Sequence, residues 1–106
     1  MNLLIKGESM LTSKQRSNLR SKAAVIEPIT QVGKFGINDS LIEGLDKAIE
    51  KRELIKVTVL ENSELIPKEA GFEIAEKLGA EFVCATGRKL VFYRRSNNPK
   101  VEHIEF

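Results

Sequence analysis

Ile29-Thr30-Gln31-Val32-Gly33-Lys34-Phe35-Gly36 is the stretch on which both the fold and the candidate function depend. Its first four residues predict a short β-strand, because Ile, Thr and Val are enriched in strands. The two glycines permit a sharp turn and a close approach to another molecule, and Lys34 adds a positive charge. The amphipathic helix predicted to open at Asn38-Asp39 directs its unpaired N–H groups back toward the loop. These features are typical of a phosphate-backbone clamp, as G-x-x-G loops are in single-stranded RNA-binding modules.

This glycine loop, residues 33–36, also has a simpler interpretation as a tight strand-to-helix connection that binds no ligand. It is not a P-loop, because the G-x-x-x-x-G-K-[ST] spacing is absent. It is not a dinucleotide fingerprint either, since no G-x-G precedes it and the chain is too short for a full nucleotide-binding domain. The interpretation of this loop as an RNA-binding element therefore depends on further signals in the rest of the chain.

The composition favours one globular domain. A chain of 106 residues has the size of a single domain, and 42% hydrophobic residues suffice for one core. No apolar run approaches the ~18 residues of a membrane span, and the brief apolar patch at Leu3 lacks the basic region of a signal peptide. A cytoplasmic protein without a membrane partner is expected. Since Cys84 is the only cysteine, no internal disulfide or cysteine-based metal site is expected. No cofactor is expected.

The net charge of +2 conceals an uneven distribution. Residues 1–40 carry six basic and three acidic side chains, and residues 81–106 carry five basic and three acidic. Residues 41–80 carry six basic and nine acidic side chains. If the two basic ends meet in the fold, they form one positive face, which is the electrostatic footprint of a nucleic-acid-binding protein.

A basic helix is predicted before the short strand. Thr12 or Ser13 can cap it, and it runs to about Ala24. Its apolar face is thin, so it should lie on the surface. The helix carries four cations, Lys14, Arg16, Arg20 and Lys22. No acidic residue occurs between residues 11 and 26 to pair with them. They form either a solvated face or a basic ridge for phosphates, and the missing acidic partners favour the ridge.

The remaining segments alternate between helix and strand. A core-facing helix follows Asn38, and the later strand, helix and hairpin strands are predicted at Leu54–Leu60, Pro67–Leu78, Glu81–Thr86 and Lys89–Arg94. The order is α-β-α-β-α-β-β over residues 11–95, an α/β domain with three helices on a four-stranded mixed sheet. Strands separated by helices are expected to pair in parallel. Residues 1–10 are expected to be a flexible extension and residues 96–106 a loosely ordered tail. Strand alternation places Phe82 and Cys84 on one face.

Several of these segments match a known family. In chain order they are Leu11 to Arg16, Pro28 to Gly36, Glu53 to Val57, Gly79 to Glu81, and Gly87 followed by Leu90 to Arg94. Over about residues 10–95 the chain resembles the YhbY-like single-domain proteins of the CRM family (chloroplast RNA splicing and ribosome maturation). The resemblance implies a fold similar to the C-terminal domain of bacterial translation initiation factor three. It also implies RNA binding through the G-x-x-G loop.

The resemblance extends to biological role. Standalone bacterial members of the family are associated with precursors of the large ribosomal subunit, and plant relatives with several copies assist group II intron splicing. The chain is thus expected to be a monomeric assembly factor that binds ribosomal RNA of the large-subunit precursor, with ribosomal proteins as a second class of partner. The expected RNA-binding residues are Gly33, Lys34, Phe35, Gly36, Lys14, Arg16, Arg20, Lys22, Arg88, Lys89, Arg94 and Arg95.

Phe35 departs from the family pattern, in which a small or polar residue is usual at this position. Its ring either stacks on a splayed base or folds back onto the following helix and shields apolar surface.

Two other classes of function find less support in the sequence. A protein-docking module would use the acidic middle of the chain, namely Glu43, Asp46, Glu50, Glu61, Glu64, Glu69, Glu73 and Glu76. Ordinary solvation of helix faces explains most of these acids. No enzyme is expected, because His103 and Cys84 are single and distant in sequence, the carboxylates show no convergent pair, and no metal-ligand spacing occurs.

Overall fold

The computed structural model describes residues 10–106. Its helices are α1 (Ser13–Ala23), α2 (Asp39–Arg52) and α3 (Pro67–Leu78), with a short 3₁₀ turn at Glu61–Ser63, and its strands are β1 (Thr30–Val32), β2 (Leu54–Val59), β3 (Glu81–Thr86) and β4 (Lys89–Tyr93). The predicted order of three helices and four strands is confirmed. The predicted extension lies, except for Met10, outside the described residues.

The helix boundaries follow local chemical signals. At the start of α1, Thr12 and Gln15 form a reciprocal capping box, which satisfies two N–H groups that the helix leaves unpaired. Asn38 caps α2 by accepting the N–H of Leu41 at 2.8 Å. Pro67 opens α3, where its missing N–H costs nothing, and Gly79 ends it in the left-handed conformation.

The four strands form one mixed sheet in the order β1-β2-β4-β3. Only β1 and β2 pair in parallel, and β4 is antiparallel to both of its neighbours. The sequence led us to expect parallel pairing across each helical connection, and this is wrong for β2 and β3, because β4 lies between them. The composition of β4 explains its central place, since Leu90, Val91 and Phe92 are all buried, whereas β3 ends in exposed residues.

The sheet is covered by helices on both faces. Helices α2 and α3 pack on one face, where Ile55, Val57 and Val59 of β2 meet Leu90 and Phe92 of β4 in the larger core. Helix α1 packs on the other face in a smaller core, formed by Leu19, Ala23, Leu54, Val83 and Val91. The thin apolar stripe of α1 therefore covers only part of its face of the sheet, and polar residues of the strands remain open beside it.

A β-bulge in β3 changes the direction of its side chains. Phe82 pairs with Phe92, and Cys84 pairs with Val91, which is adjacent to Phe92 in β4. Val83 is therefore an extra residue of β3 without a partner in the register. Phe82 packs on the larger core while Val83 and Cys84 belong to the smaller one. The expectation that Phe82 and Cys84 share a face is therefore wrong, because one inserted residue reverses the alternation beyond it.

The tail, residues 96–106, has no regular secondary structure, but it is held against the domain rather than loosely ordered as expected. The carboxylate of Glu53, which is fully buried, accepts the backbone N–H groups of Ser96 and Ile104, both at 2.7 Å. His103 Nδ1 lies 2.6 Å from the same carboxylate. We call these four residues the tail clasp. Beyond it, the ring of Phe106 meets that of Tyr93 edge to face at 4.8 Å.

The clasp sets the protonation of Glu53. Burial raises the pKa of the carboxyl, but the hydrogen bonds from Ser96, His103 and Ile104, together with the charge of His103, outweigh burial and lower it below the ordinary value of 4.5. Glu53 also has a positive φ of 64° at the end of α2, a conformation that strains a residue with a side chain. The hydrogen bonds of its carboxylate compensate for that strain.

Candidate nucleic-acid interface

The glycine loop is a hydrogen-bonded turn at the end of β1. The N–H of Gly36 donates to the carbonyl of Gly33 at 2.9 Å, which leaves Lys34 and Phe35 at the two central positions. Gly36 has a φ of 67°, so a side chain there would be strained. At Gly33 an added Cβ would make ordinary van der Waals contact with the side chains of Leu60 and Asn62, at 3.8 and 3.9 Å, so this glycine lies against these two residues without a clash. The loop thus presents two side chains between two bare backbone positions.

Both central side chains of the loop are exposed. The ring of Phe35 is 80% exposed, so it does not fold back to shield apolar surface, which was one of its two interpretations. The ammonium nitrogen of Lys34 lies 5.3 Å from the centroid of this ring, within the range of a cation–π contact. The loop therefore offers a cation and an aromatic face side by side to solvent.

The hairpin turn between β3 and β4 lies at the same end of the sheet as the glycine loop. The N–H of Leu60 donates to the carbonyl of Val32 beside the loop, and the N–H of Val59 donates to the carbonyl of Arg88 in the hairpin turn. The guanidinium group of Arg88 donates to the carbonyls of Val59 and Leu60, at 2.7 and 2.9 Å. Arg88 therefore fixes the hairpin turn to the end of β2.

A basic groove lies between α1 and the uncovered part of the sheet. Its polar lining consists of Ser17, Arg20, Ser21, Lys56, Thr86 and Lys89. The three cations come from three different elements, α1, β2 and β4. Among the described residues that line the groove, none is acidic. We expect a positive potential here, because no carboxylate of the lining compensates the three cations.

The groove continues across the strands toward the glycine loop. Lys89 pairs with Thr58 in the register of β4 and β2, and Thr58 pairs with Gln31 in the register of β2 and β1. Gln31 precedes Gly33 by two residues. Thr58 and Gln31 also line a second shallow depression, again without an acidic side chain among its described residues. One polar row thus links the cations of the groove to the end of the sheet that carries the loop.

The other cations expected to contact RNA lie elsewhere. Arg16 donates to the carbonyls of Phe82 and Val83 at the bulge, at 2.8 and 2.7 Å. Arg94 donates to Asp46 and to the carbonyl of Leu78, both at 2.7 Å, on the side of α2 and α3. These two guanidinium groups therefore hold the fold together.

The exposed cations of α1 are also divided between two sides of the helix. Lys22 lines a different depression from Arg20, beside Glu27 and Glu105, while Lys14 is exposed at the start of the helix. Arg95 is exposed just after β4. Of the predicted cations, the structure brings Arg20 and Lys89 into one groove and places Lys34 at the adjoining end of the sheet.

Lys56 is the groove residue that the sequence analysis did not select. The signal was present, because Lys56 stands among Leu54, Thr58 and Leu60 on the mixed face of a strand whose other face is wholly apolar. A single lysine on such a face indicates only that this face is partly solvated. Its position beside Arg20 depends on how α1 crosses the sheet.

The described residues contain no group of three or more His, Cys, Asp or Glu side chains that could hold a metal ion. Within residues 10–106, no helix combines the length and the apolar character needed to cross a membrane. The chemistry that this surface offers is electrostatic attraction, hydrogen bonding and contact with one aromatic ring.

The model of the CRS1 / YhbY (CRM) domain matches residues 11–94. This chain belongs to the CRM domain family. The matched region contains the glycine loop and the whole basic groove, and it ends before the tail that the clasp holds.

The chain is also similar to individual proteins that are named as RNA-binding. The chain is 42% identical over 91 residues to the Probable RNA-binding protein YqeI of Bacillus subtilis, covering 86% of this chain and 95% of that protein. It is 39% identical over 88 residues to the Probable RNA-binding protein MJ0652 of Methanocaldococcus jannaschii, covering 79% and 63% of the two chains. A Staphylococcus aureus protein solved in solution and described as a candidate RNA-binding protein, SAV1595, superposes with a TM-score of 0.70 at 41% identity, covering 88% and 98%.

Proposed function

We propose that this chain binds RNA through one continuous surface formed by the glycine loop and the basic groove. The observation that carries the proposal is the convergence of Arg20, Lys56 and Lys89 in a groove without acidic lining, next to the end of the sheet that carries Lys34. The relatives named as RNA-binding proteins support the same conclusion.

The proposed mechanism is electrostatic. The four cations displace counterions from the phosphates, which is the main source of affinity in sequence-independent binding. The absence of side chains at Gly33 and Gly36 lets the sugar-phosphate chain approach the protein backbone. The hydroxyl and amide groups of Thr58 and Gln31 add hydrogen bonds that position the RNA without reading its sequence.

We further propose that the RNA is ribosomal RNA of the large-subunit precursor and that the protein acts in the cytoplasm as a monomeric assembly factor. The resemblance to YhbY-like proteins supports this role. The test is competition between structured fragments of equal length from the large and the small ribosomal subunit. We expect the large-subunit fragment to compete better, and equal competition would contradict this target.

Binding should depend steeply on salt and on Lys34. Four phosphate contacts give a slope of log affinity against log salt concentration of roughly −3 to −3.5. Lys34→Glu should weaken binding about tenfold and reduce the slope by about one. The measurement is a fluorescence-anisotropy titration of a structured RNA fragment at four salt concentrations.

Lys77→Glu is the matched control for Lys34→Glu, because it makes the same charge change on an exposed residue near the end of α3. The affinity of Lys77→Glu for the RNA fragment should stay within about twofold of the wild-type affinity. A flat salt dependence of the wild type, or equal losses in the two variants, would contradict binding through the loop.

Lys56→Glu tests the groove separately from the loop. Lys56 lies on β2 beside Arg20 and Lys89, so reversing its charge should weaken RNA binding about tenfold and leave sequence preference unchanged. Circular dichroism and thermal unfolding would establish that the variant is folded. If Lys56→Glu binds like the wild type while Lys34→Glu does not, the interface is the loop alone.

The structure does not favour the protein-docking alternative. Asp46 and Glu50, two of the eight acidic residues that it would use, lie 2.7 and 3.5 Å from the guanidinium group of Arg94. The single positive charge of Arg94 offsets part of the negative charge of Asp46 and Glu50, which weakens this pair as an acidic docking surface.

A further inference from the structure

Phe35 is an aromatic ring that the fold does not use. It is 80% exposed, whereas Phe72, Phe82 and Phe92 form a chain of ring contacts inside the domain, with centroids 5.1 and 5.7 Å apart. An exposed phenyl group leaves a large apolar surface in water. Because nothing in the packing of residues 10–106 explains this exposure, we treat the ring as available to a ligand.

The surroundings of Phe35 fit a nucleotide. Its neighbours in the turn are two glycines and Lys34, so no bulky side chain of the loop hinders approach to the ring. Lys34 supplies a cation 5.3 Å from the ring centroid. A nucleotide has a flat base and an anionic phosphate, and an aromatic ring next to an ammonium group complements both parts.

We propose that Phe35 stacks on an unpaired RNA base while Lys34 contacts an adjacent phosphate. The inference rests on the proposed function and specifies its substrate: a single-stranded segment, such as a loop or bulge, in preference to a continuous duplex. The bases of a duplex stack on one another and leave no face for a side chain, so recognition through Phe35 requires a base that is out of the stack.

Stacking on an aromatic ring is tolerant of sequence, since every base has a π-face. The loop therefore selects RNA by secondary structure and not by the identity of the base. Within this assignment Phe35 determines specificity for unpaired RNA, and the groove cations supply affinity for any phosphate backbone.

The chain offers a direct optical test, because it contains no tryptophan. Phe35→Trp introduces a single indole at the loop while preserving an aromatic face. The variant is titrated with two synthetic RNAs that have equal numbers of phosphates, an unpaired oligonucleotide and a blunt-ended duplex of two complementary strands. We expect near-wild-type affinity and quenching of tryptophan emission by the unpaired RNA, with little change in emission when the duplex binds.

Affinity measurements on further variants separate stacking from simple hydrophobic contact. Phe35→Ala and Phe35→Leu should each lose about 5- to 140-fold in affinity for the unpaired RNA, which corresponds to the value of about 1–3 kcal/mol per stacked base. Both variants should bind the blunt-ended duplex within about twofold of the wild type. Val25→Ala is the matched control, because Val25 is 85% exposed but lies outside the loop and the groove.

The possible outcomes distinguish this inference from the proposed function. If Phe35→Ala binds both RNAs like the wild type, or loses equally for both, stacking is refuted, while a steep salt slope would keep RNA binding through the cations. If Phe35→Leu retains full affinity, the contact is apolar and not aromatic, which also overturns the inference. If the wild type binds neither RNA, the proposed function fails as well, and a protein contact at the exposed ring becomes the better explanation.

Discussion

Glu53→Gln is expected to lower the free energy of unfolding by about 3 kcal/mol, the lower end of the range for breaking a buried charged pair. The carboxylate of Glu53 has no exposed surface and accepts hydrogen bonds from two backbone N–H groups, with His103 Nδ1 at 2.6 Å. A glutamine has one acceptor oxygen, and its amide N–H groups would face these donors. At least one buried donor would lose its partner. Urea unfolding followed by circular dichroism measures the change.

The control for this substitution is Glu102→Gln, which removes the same charge from an exposed residue of the tail. It should change stability by less than about 0.5 kcal/mol. Hydrogen exchange at the amides of Ser96 and Ile104 should accelerate in Glu53→Gln and not in Glu102→Gln. If the two variants unfold at the same urea concentration, the tail clasp contributes nothing to stability.

The tail clasp should also give Glu53 a characteristic pH dependence. Since hydrogen bonding lowers the pKa of its carboxyl in the folded state, the unfolded chain binds the proton more readily, and stability falls as the pH decreases. The contribution is fully present above the ordinary value of 4.5 and is lost as the pH falls through the lowered value. The difference in stability between the wild type and Glu53→Gln should therefore be largest above about pH 4.5 and narrow below it.

RNA binding by folded Glu53→Gln should match the wild type. The clasp lies near the pairing of Leu54 with Tyr93, whereas the glycine loop and the groove lie toward the pairing of Thr58 with Lys89, at the other end of the same strands. Loss of RNA affinity at a pH and temperature where the variant is fully folded would mean that the two ends of the sheet are coupled.

Gly71→Ala is expected to destabilise the domain by about 1–3 kcal/mol, the usual cost of overpacking a core, although alanine is the better helix former by about 1 kcal/mol. A Cβ at Gly71 would clash with the ring of Phe82, most closely at its Cζ atom. The Phe82 ring cannot withdraw easily, because it is in contact with the rings of Phe72 and Phe92. Thermal unfolding of the purified variant provides the measurement.

Gly44→Ala is a control for which the opposite change in stability is expected. Gly44 is exposed within α2, and an added Cβ meets nothing within 4 Å, so alanine should stabilise the protein by about 0.5–1 kcal/mol. Shortening Phe82 to Leu in the Gly71→Ala background should recover part of the loss, since the two residues are in contact. A higher melting temperature for Gly71→Ala, like that expected for Gly44→Ala, would show that α3 shifts freely away from the sheet.

Much of the secondary structure could be predicted from short stretches of the sequence. Thr12 and Asn38 cap their helices as expected, Gly79 ends α3, and the alternating residues of β2 place one apolar face on the larger core. These signals are local, because a cap, a left-handed glycine or an alternating strand depends on neighbours within a few residues. The strand order was not predictable in this way, since it depends on which strand is buried on both faces.

The candidate site was predictable only in part. Local composition identified the glycine loop and several cations, but it could not separate Arg20, which lines the groove, from Arg16, which holds the bulge carbonyls. Both are arginines on the same short helix, four residues apart. Arg16 reaches the carbonyls of Phe82 and Val83 at the bulge, and this bulge is not evident in the sequence.

The sequence by itself determined the class of the fold, the order of its elements and the position of a basic glycine loop before a capped helix, because each follows from backbone preferences and the spacing of apolar residues. The tertiary structure alone decided that Lys56 joins Arg20 and Lys89 in one groove. It alone decided that Glu53 binds the backbone of Ser96 and of Ile104, which lie 43 and 51 positions further along the chain. Electrostatic and hydrogen-bonding partners are chosen by distance in space, and only the packed sheet brings such distant residues within a few ångströms of one another.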